Sequence, residues 1–157
     1  MAKMMIVRIV IALAATKGWH LHQIGVKNVF LQGELEMVYM AKLPGFNLTT
    51  HLKAVCRLKK PLYGLKQALR AWHSKIMQYL HRIGFRMSKS NNSLYIRSDS
   101  ESLIVIILYV DDLVIGGEHL VNINKVKFHL SDKFEMTDMM KLHYFLGIEV
   151  IRTPAES

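Results

Sequence analysis

Cysteine is nearly absent from this chain of 157 residues: Cys56 stands alone, so no intrachain disulfide can form and no cysteine cluster is present to hold zinc. That usage fits a reducing compartment. Proline and glycine are scarce as well, at three and nine, and with 51% hydrophobic and 21% charged residues this excludes a disordered or low-complexity chain. No apolar run approaches the roughly 20 residues that span a bilayer, so no membrane partner is expected. The start, Met1 to Ala15, superficially resembles a secretory signal, with Lys3 and an apolar stretch from Ile9, but Arg8 interrupts it. A buried amphipathic helix is expected there instead, and the protein is read as not secreted, with cytoplasm and nucleus both open.

Acid is also short. Lys and Arg number 21 against 12 Asp and Glu, giving +9 and a pI near 9.7. Such a field attracts phosphate-rich partners, nucleic acid first, although a basic surface that binds nothing satisfies the same count. Eight histidines are scattered without tight metal spacing, so no zinc site is assigned. The length fits one domain with a real core.

Helical spacing from Met5 to Ala15, a basic last turn Thr16-Lys17 and the stop Gly18 predict a helix, and Trp19 onward alternates like a strand. Met37 to Lys42 reads as a short strand before Pro44-Gly45, and 46–53 as a polar loop with a silent Asn47-Leu48-Thr49 sequon. Leu69, Trp72, Ile76, Leu80 and Ile83 step by three or four, which predicts a long helix over 65–83 ended by Gly84. Leu94 to Ile96 and the continuous apolar run Leu103 to Val110 read as strands, Leu113 to Ile115 as another that Gly116-Gly117 breaks. His119 to Leu130 is expected as a helix with Val121, Ile123, Val126 and Leu130 inward, then Phe134 to Met136 and Leu142 to Val150 as strands. The order predicts an α+β fold: a ferredoxin-like antiparallel sheet with helices packed on one face.

Asp111 and Asp112 lie between two apolar strands, as a two-residue Asp-Asp turn. Aspartate is a common turn former, so on this ground alone a solvated hairpin turn is favoured. Divalent metals offer the other reading, because paired cations about 4 Å apart, held by carboxylates, stabilise entering and leaving oxygens in phosphoryl transfer. Such a site draws carboxylates from more than one strand.

Tyr109-Val110-Asp111-Asp112 resembles the catalytic motif of reverse transcriptases, and three further blocks resemble the Ty1/copia retrotransposon group: Phe30 to Glu36, Val55 to Gln67, and Lys141 to Glu149. They stand in the family's order and cover almost the whole chain, 1–157, as a partial reverse transcriptase domain centred on the palm. The resemblance implies RNA-directed DNA polymerisation on an RNA or DNA template-primer with deoxynucleoside triphosphates. It makes Asp111 and Asp112 the catalytic, metal-binding carboxylates for Mg²⁺ or Mn²⁺. It places Phe30 under the incoming sugar, Gly64, Gln67 and Tyr109 around the nucleotide, and Tyr144, Phe145, Leu146 and Gly147 in a turn that grips the primer end. A core aromatic at Phe30 and a plain core hairpin at 144–147 read as well from these residues alone.

One departure decides the expected activity. The family's first catalytic block reads His-Gln-Met-Asp-Val-Lys, and here it is His22-Gln23-Ile24-Gly25-Val26-Lys27, with glycine where the aspartate belongs. Metal binding is therefore expected to be impaired and polymerisation lost; Glu34 and Glu36 lie too far along the chain to substitute. Leu69 replaces a family proline, the stretch around Ala41 to Pro44 is shortened, and fingers and thumb are expected to be largely missing. What then remains is a basic nucleic-acid-binding remnant or a transposon-derived fragment without function, with exposed apolar surface that favours self-association.

Overall fold

In a computed structural model the described residues are 4–27, 38–40, 56–58, 66–100 and 102–152, with backbone alone at 38–40, 56–58, 66 and 67. The elements are α1 (Met4–Lys17), β1 (His20–Val26), β2 (Val38–Met40), β3 (Cys56–Leu58), α2 (Lys66–Arg82), β4 (Arg86–Met87), β5 (Leu94–Ser98), β6 (Leu103–Tyr109), β7 (Asp112–Gly117), α3 (Leu120–Lys133), β8 (Met136–Lys141), β9 (Tyr144–Phe145) and β10 (Ile148–Glu149). Two compact units divide the chain, one of 1–27 and 80–157, the other of 28–79. In the second, β2 and β3 pair antiparallel from Val38 opposite Leu58 to Met40 opposite Cys56, and α2 supplies buried Ala68, Trp72 and Ile76 at helical spacing. Leu69, expected inward, is 38% exposed, because the buried stripe runs 68-72-76-80 and position 69 turns off it.

The first unit is built on a six-stranded sheet in the order β4-β5-β6-β7-β1-β8, with every neighbouring pair antiparallel. Its last four strands, read β6-β7-β1-β8, have the strand order of a split βαβ sheet, as expected. Helices cover both faces, however, and not one. Val7, Val10 and Ala14 of α1 pack with Leu21, Val105, Ile107 and Val114. Ile123 of α3 lies on the other side, where a Cβ added to Gly117 would stand 3.6 Å from both Ile123 and Ile104. The reason is the composition of β6 and β7: Ile104 to Leu108 and Leu113 to Gly117 are buried without alternation, and a strand apolar on both faces needs a cover on each.

Gly116 and Gly117 do not break β7; they are paired strand residues, opposite Leu21 and His20 on one side and Val105 and Ile104 on the other. A Cβ on Gly116 would lie 2.9 Å from Leu21 Cδ2, and one on Gly117 would lie 3.1 Å from the Leu103 carbonyl, so a side chain at either position would have to push its neighbour aside. The strand expected at 134–136 lies instead at Met136–Lys141, and 142–150 holds a short β9–β10 hairpin whose loop, Leu146-Gly147, has φ of 48° and 79°. Positive φ at both loop positions matches the right-handed twist of its flanking strands.

Edge strand β8 is tied down by a polar cluster that runs from buried Lys127 and His22 to exposed Asp138. Lys127 Nζ of α3 lies 2.7 Å from His22 Nδ1 on β1 and 2.8 Å from Asp138 Oδ2 on β8. An ammonium donates to Nδ1, so the imidazole is neutral with its proton on Nε2. Burial, then Lys127, holds the His22 pKa below its usual 6.5; for Asp138 the hydrogen bonds from Lys127 and Met140 outweigh burial and hold it below 3.8. The unfolded chain therefore takes up protons that the folded chain refuses. Stability from His22 is complete above pH 6.5 and is lost as pH falls from there towards the lowered folded value; that from Asp138 is lost further down, below 3.8. Urea midpoints are expected to fall between pH 7.5 and 5.5 in the parent and to stay level in His22→Gln; a level parent curve would refute the linkage.

Candidate active site at the β6–β7 turn

The β6–β7 hairpin closes with Tyr109 opposite Asp112, so its two loop residues are Val110 and Asp111, and Asp112 is the first residue of β7. The expected Asp-Asp loop is thus shifted by one. A two-residue hairpin loop wants φ > 0 at its first position, and here Val110 has φ 47°. For a β-branched side chain that conformation costs roughly 1–2 kcal/mol, so the turn is held against its own preference. Pairing along β6 and β7 holds it from both sides, and Val26 N–H donates to the Asp111 carbonyl at 2.7 Å, tying the loop to β1.

Strand alternation sets what meets Asp112. Leu21, Gln23 and Gly25 of β1 share a face with Asp112, Val114 and Gly116 of β7, since Gly25 pairs with Asp112 and Gln23 with Val114. Gln23 hydrogen-bonds the Asp112 carboxylate. Burial, then the neighbouring Asp111 charge, pushes the Asp112 pKa above its usual 3.8, and the Gln23 hydrogen bond opposes them. Asp111 itself is exposed. Gly25 faces this carboxylate directly: a Cβ there would stand 3.8 Å from Asp112 Oδ1 and 3.4 Å from Met139 Sδ on β8, both ordinary contacts.

Tyr109 also meets the 144–147 hairpin. Its ring lies edge-on to Phe145 with centroids 6.2 Å apart, and both border the core cluster under α1, with Leu146 against it. Tyr144 is 62% exposed and Gly147 forms the turn. The structure thus brings Tyr109, Asp111, Asp112, Gly25 and Phe145 into one neighbourhood of the first unit. Phe30 and Gly64 lie outside the described residues, as do Glu34 and Glu36; Gln67 falls in α2 with its side chain undescribed. Sequence reading missed Gln23 as a partner of Asp112, although its place two residues before Gly25 on a strand puts it on the same face.

The family model described as reverse transcriptase (RNA-dependent DNA polymerase) matches residues 1–156. This chain belongs to that family. Among curated relatives, the retrovirus-related Pol polyproteins from transposons RE1 and RE2 of Arabidopsis thaliana are each 42% identical over 149 residues, covering 94% of this chain and 10% of theirs. That from transposon TNT 1-94 of Nicotiana tabacum is 36% identical over 152 residues, covering 96% of this chain and 11% of its own. The chain therefore spans about a tenth of the length of these relatives, within the copia-type Pol group that the ordered blocks resemble.

Two measurements check this geometry. Carboxyl titration by NMR is expected to show the Asp112 pKa falling in Asp111→Asn, which removes a like charge, and rising in Gln23→Leu, which removes the opposing hydrogen bond. Val110→Gly is expected to stabilise the fold by roughly 0.5–1 kcal/mol in urea denaturation, the strain relieved less the added freedom of the unfolded glycine; destabilisation would contradict the strained turn.

Proposed function

We propose that this chain is a reverse transcriptase palm that has lost nucleotidyl transfer because its carboxylate set is one short. In this reading Asp111 and Asp112 are the surviving metal-side carboxylates and Tyr109 borders the nucleotide, with Phe30, Gly64 and Gln67. Tyr144, Phe145, Leu146 and Gly147 form the turn at the primer end. The partners are an RNA or DNA template-primer and deoxynucleoside triphosphates.

The observation that carries the proposal is the register of Gly25 against Asp112, which aims position 25 at the Asp112 carboxylate, 3.8 Å from a Cβ, with no side chain to fill the role. Mg²⁺ or Mn²⁺ is the cofactor this chemistry implies, and the residues present do not fit a cation pair. Two carboxylates from one turn, with the neutral Gln23 amide as the side chain β1 brings to Asp112, leave the β1 side of the site without a carboxylate. No group of three His, Cys, Asp or Glu poised to hold a metal occurs among the described residues. Removing one preorganised group from such a site costs on the order of 10³ in rate.

A second reading, a basic nucleic-acid-binding remnant, is favoured by the +9 charge, which outlasts the lost carboxylate. Self-association is a further expectation of the proposal: Met5, Ile9 and Leu13 form an exposed stripe on α1, 69%, 47% and 40% exposed at four-residue spacing.

Primer extension on an RNA template with Mg²⁺ tests the proposal. The parent is expected to be silent and Gly25→Asp to extend, with Gly25→Asp combined with Asp111→Asn silent again. Because a Cβ at position 25 meets only ordinary contacts, Gly25→Asp is expected to fold. Extension by the parent, abolished by Asp111→Asn alone, would overturn the inactivity.

A further inference from the structure

The outward face of α3 departs from its expected pattern. Ile123, Val126, Lys127 and Leu130 turn inward, but Val121 is 65% and Phe128 70% exposed. Val121, Asn124, Lys125, Phe128 and His129 line a shallow groove of about 360 Å³. An apolar aromatic at this exposure gives the fold nothing. It lies on a helix whose neighbouring outward residues, Lys125 and His129, are basic, and no acidic side chain lines the groove; Asp132 lies one turn on, beside Lys133.

We propose that this groove binds single-stranded nucleic acid, with a base stacked on Phe128 and the adjoining phosphate on Lys125. Stacking on an exposed aromatic next to a cation is the physical basis of sequence-tolerant single-strand binding, and a duplex hides the base faces such a platform needs. Charge selects this occupant over a second copy of the chain. Pairing two such faces brings Lys125 against its like on molecules that each carry +9, whereas a phosphate backbone complements it. The groove lies on the sheet face of His22 and Ile115, away from the face that carries Gly25 and Asp112. Binding here is therefore independent of chemistry at the β6–β7 turn, and survives whether or not the carboxylate site can work.

Fluorescence anisotropy with a labelled oligothymidine, titrated at several salt concentrations, tests it. Phe128→Ala is expected to weaken binding about tenfold and Phe128→Trp to restore it, with melting temperature unchanged in both because the side chain is exposed. Lys125→Ala is expected to lower the salt slope by about 0.7, one phosphate contact on a single strand. Equal affinity of the parent and Phe128→Ala would overturn the proposal, as would an equal loss on a blunt duplex. So would an unchanged affinity with loss of self-association by light scattering, which would make the groove a contact between copies. Gly25→Asp, run in parallel, is expected to leave the affinity loss of Phe128→Ala intact, so failure of the palm reading and failure of this one remain distinguishable.

Discussion

The register of β1 against β7 is the constraint on which the first unit depends. At one end of that ladder a Cβ on Gly116 would stand 2.9 Å from Leu21 Cδ2, so the bare glycine of β7 lets the Leu21 side chain of β1 lie close over it. From that contact the pairing counts forward without a slip to Gly25 opposite Asp112. A shift of one residue would send Leu21, Gln23 and Gly25 to the α3 side and His22 and Ile24 to the α1 side, reversing both cores at once. The Gly25–Asp112 pair at the far end of the ladder thus shares one register with the packing of Leu21 over Gly116, about 13 Å away at about 3.3 Å per strand residue.

A different kind of contact holds β8. Its side chains are mostly exposed, so apolar burial contributes little, and β1–β8 pairing is irregular between His22 and Ile24. Lys127, His22 and Asp138 close the gap with charge-assisted hydrogen bonds that reach from the helix to β1 and to the edge strand β8. The Lys127–His22 pair within it is costly to break, since removing either leaves the other unsatisfied inside the protein, whereas Asp138 at the surface can turn to water.

Much of this was legible in the residues. Helix α1 with its Gly18 stop and the apolar strands β5, β6 and β7 follow from spacing and from the uninterrupted run Leu103 to Leu108, and the order of helices and strands pointed to an α+β fold. Four ordered blocks carried the family. What spacing could not supply was tertiary: that Gly116-Gly117 continues a strand depends on Leu21 across the ladder, and that α1 covers one sheet face and α3 the other depends on which residues of β6 and β7 pair. Val121 has the right periodicity for the core, yet α3 is so placed that the buried stripe starts at Ile123. At the turn, the sequence shows two aspartates but not that one is a loop residue and the other a strand residue, nor that Gln23 reaches the second. That position 25 carries glycine is plain in the sequence; that it faces the Asp112 carboxylate, with space beside it for a side chain, is not.

Both neighbours of β1 in the sheet arrive late in the chain. From Gly25 to its partner Asp112 is 87 positions (112 − 25), and β8 comes later still. Until β7 and β8 have left the ribosome, β1 has two bare edges, and its buried residues Leu21, Ile24 and Val26 have no sheet to join. A strand near the start of the chain is thus among the last to be satisfied. A chain stopped short of Met136 would leave one edge of β1 open as a template for whatever strand meets it first.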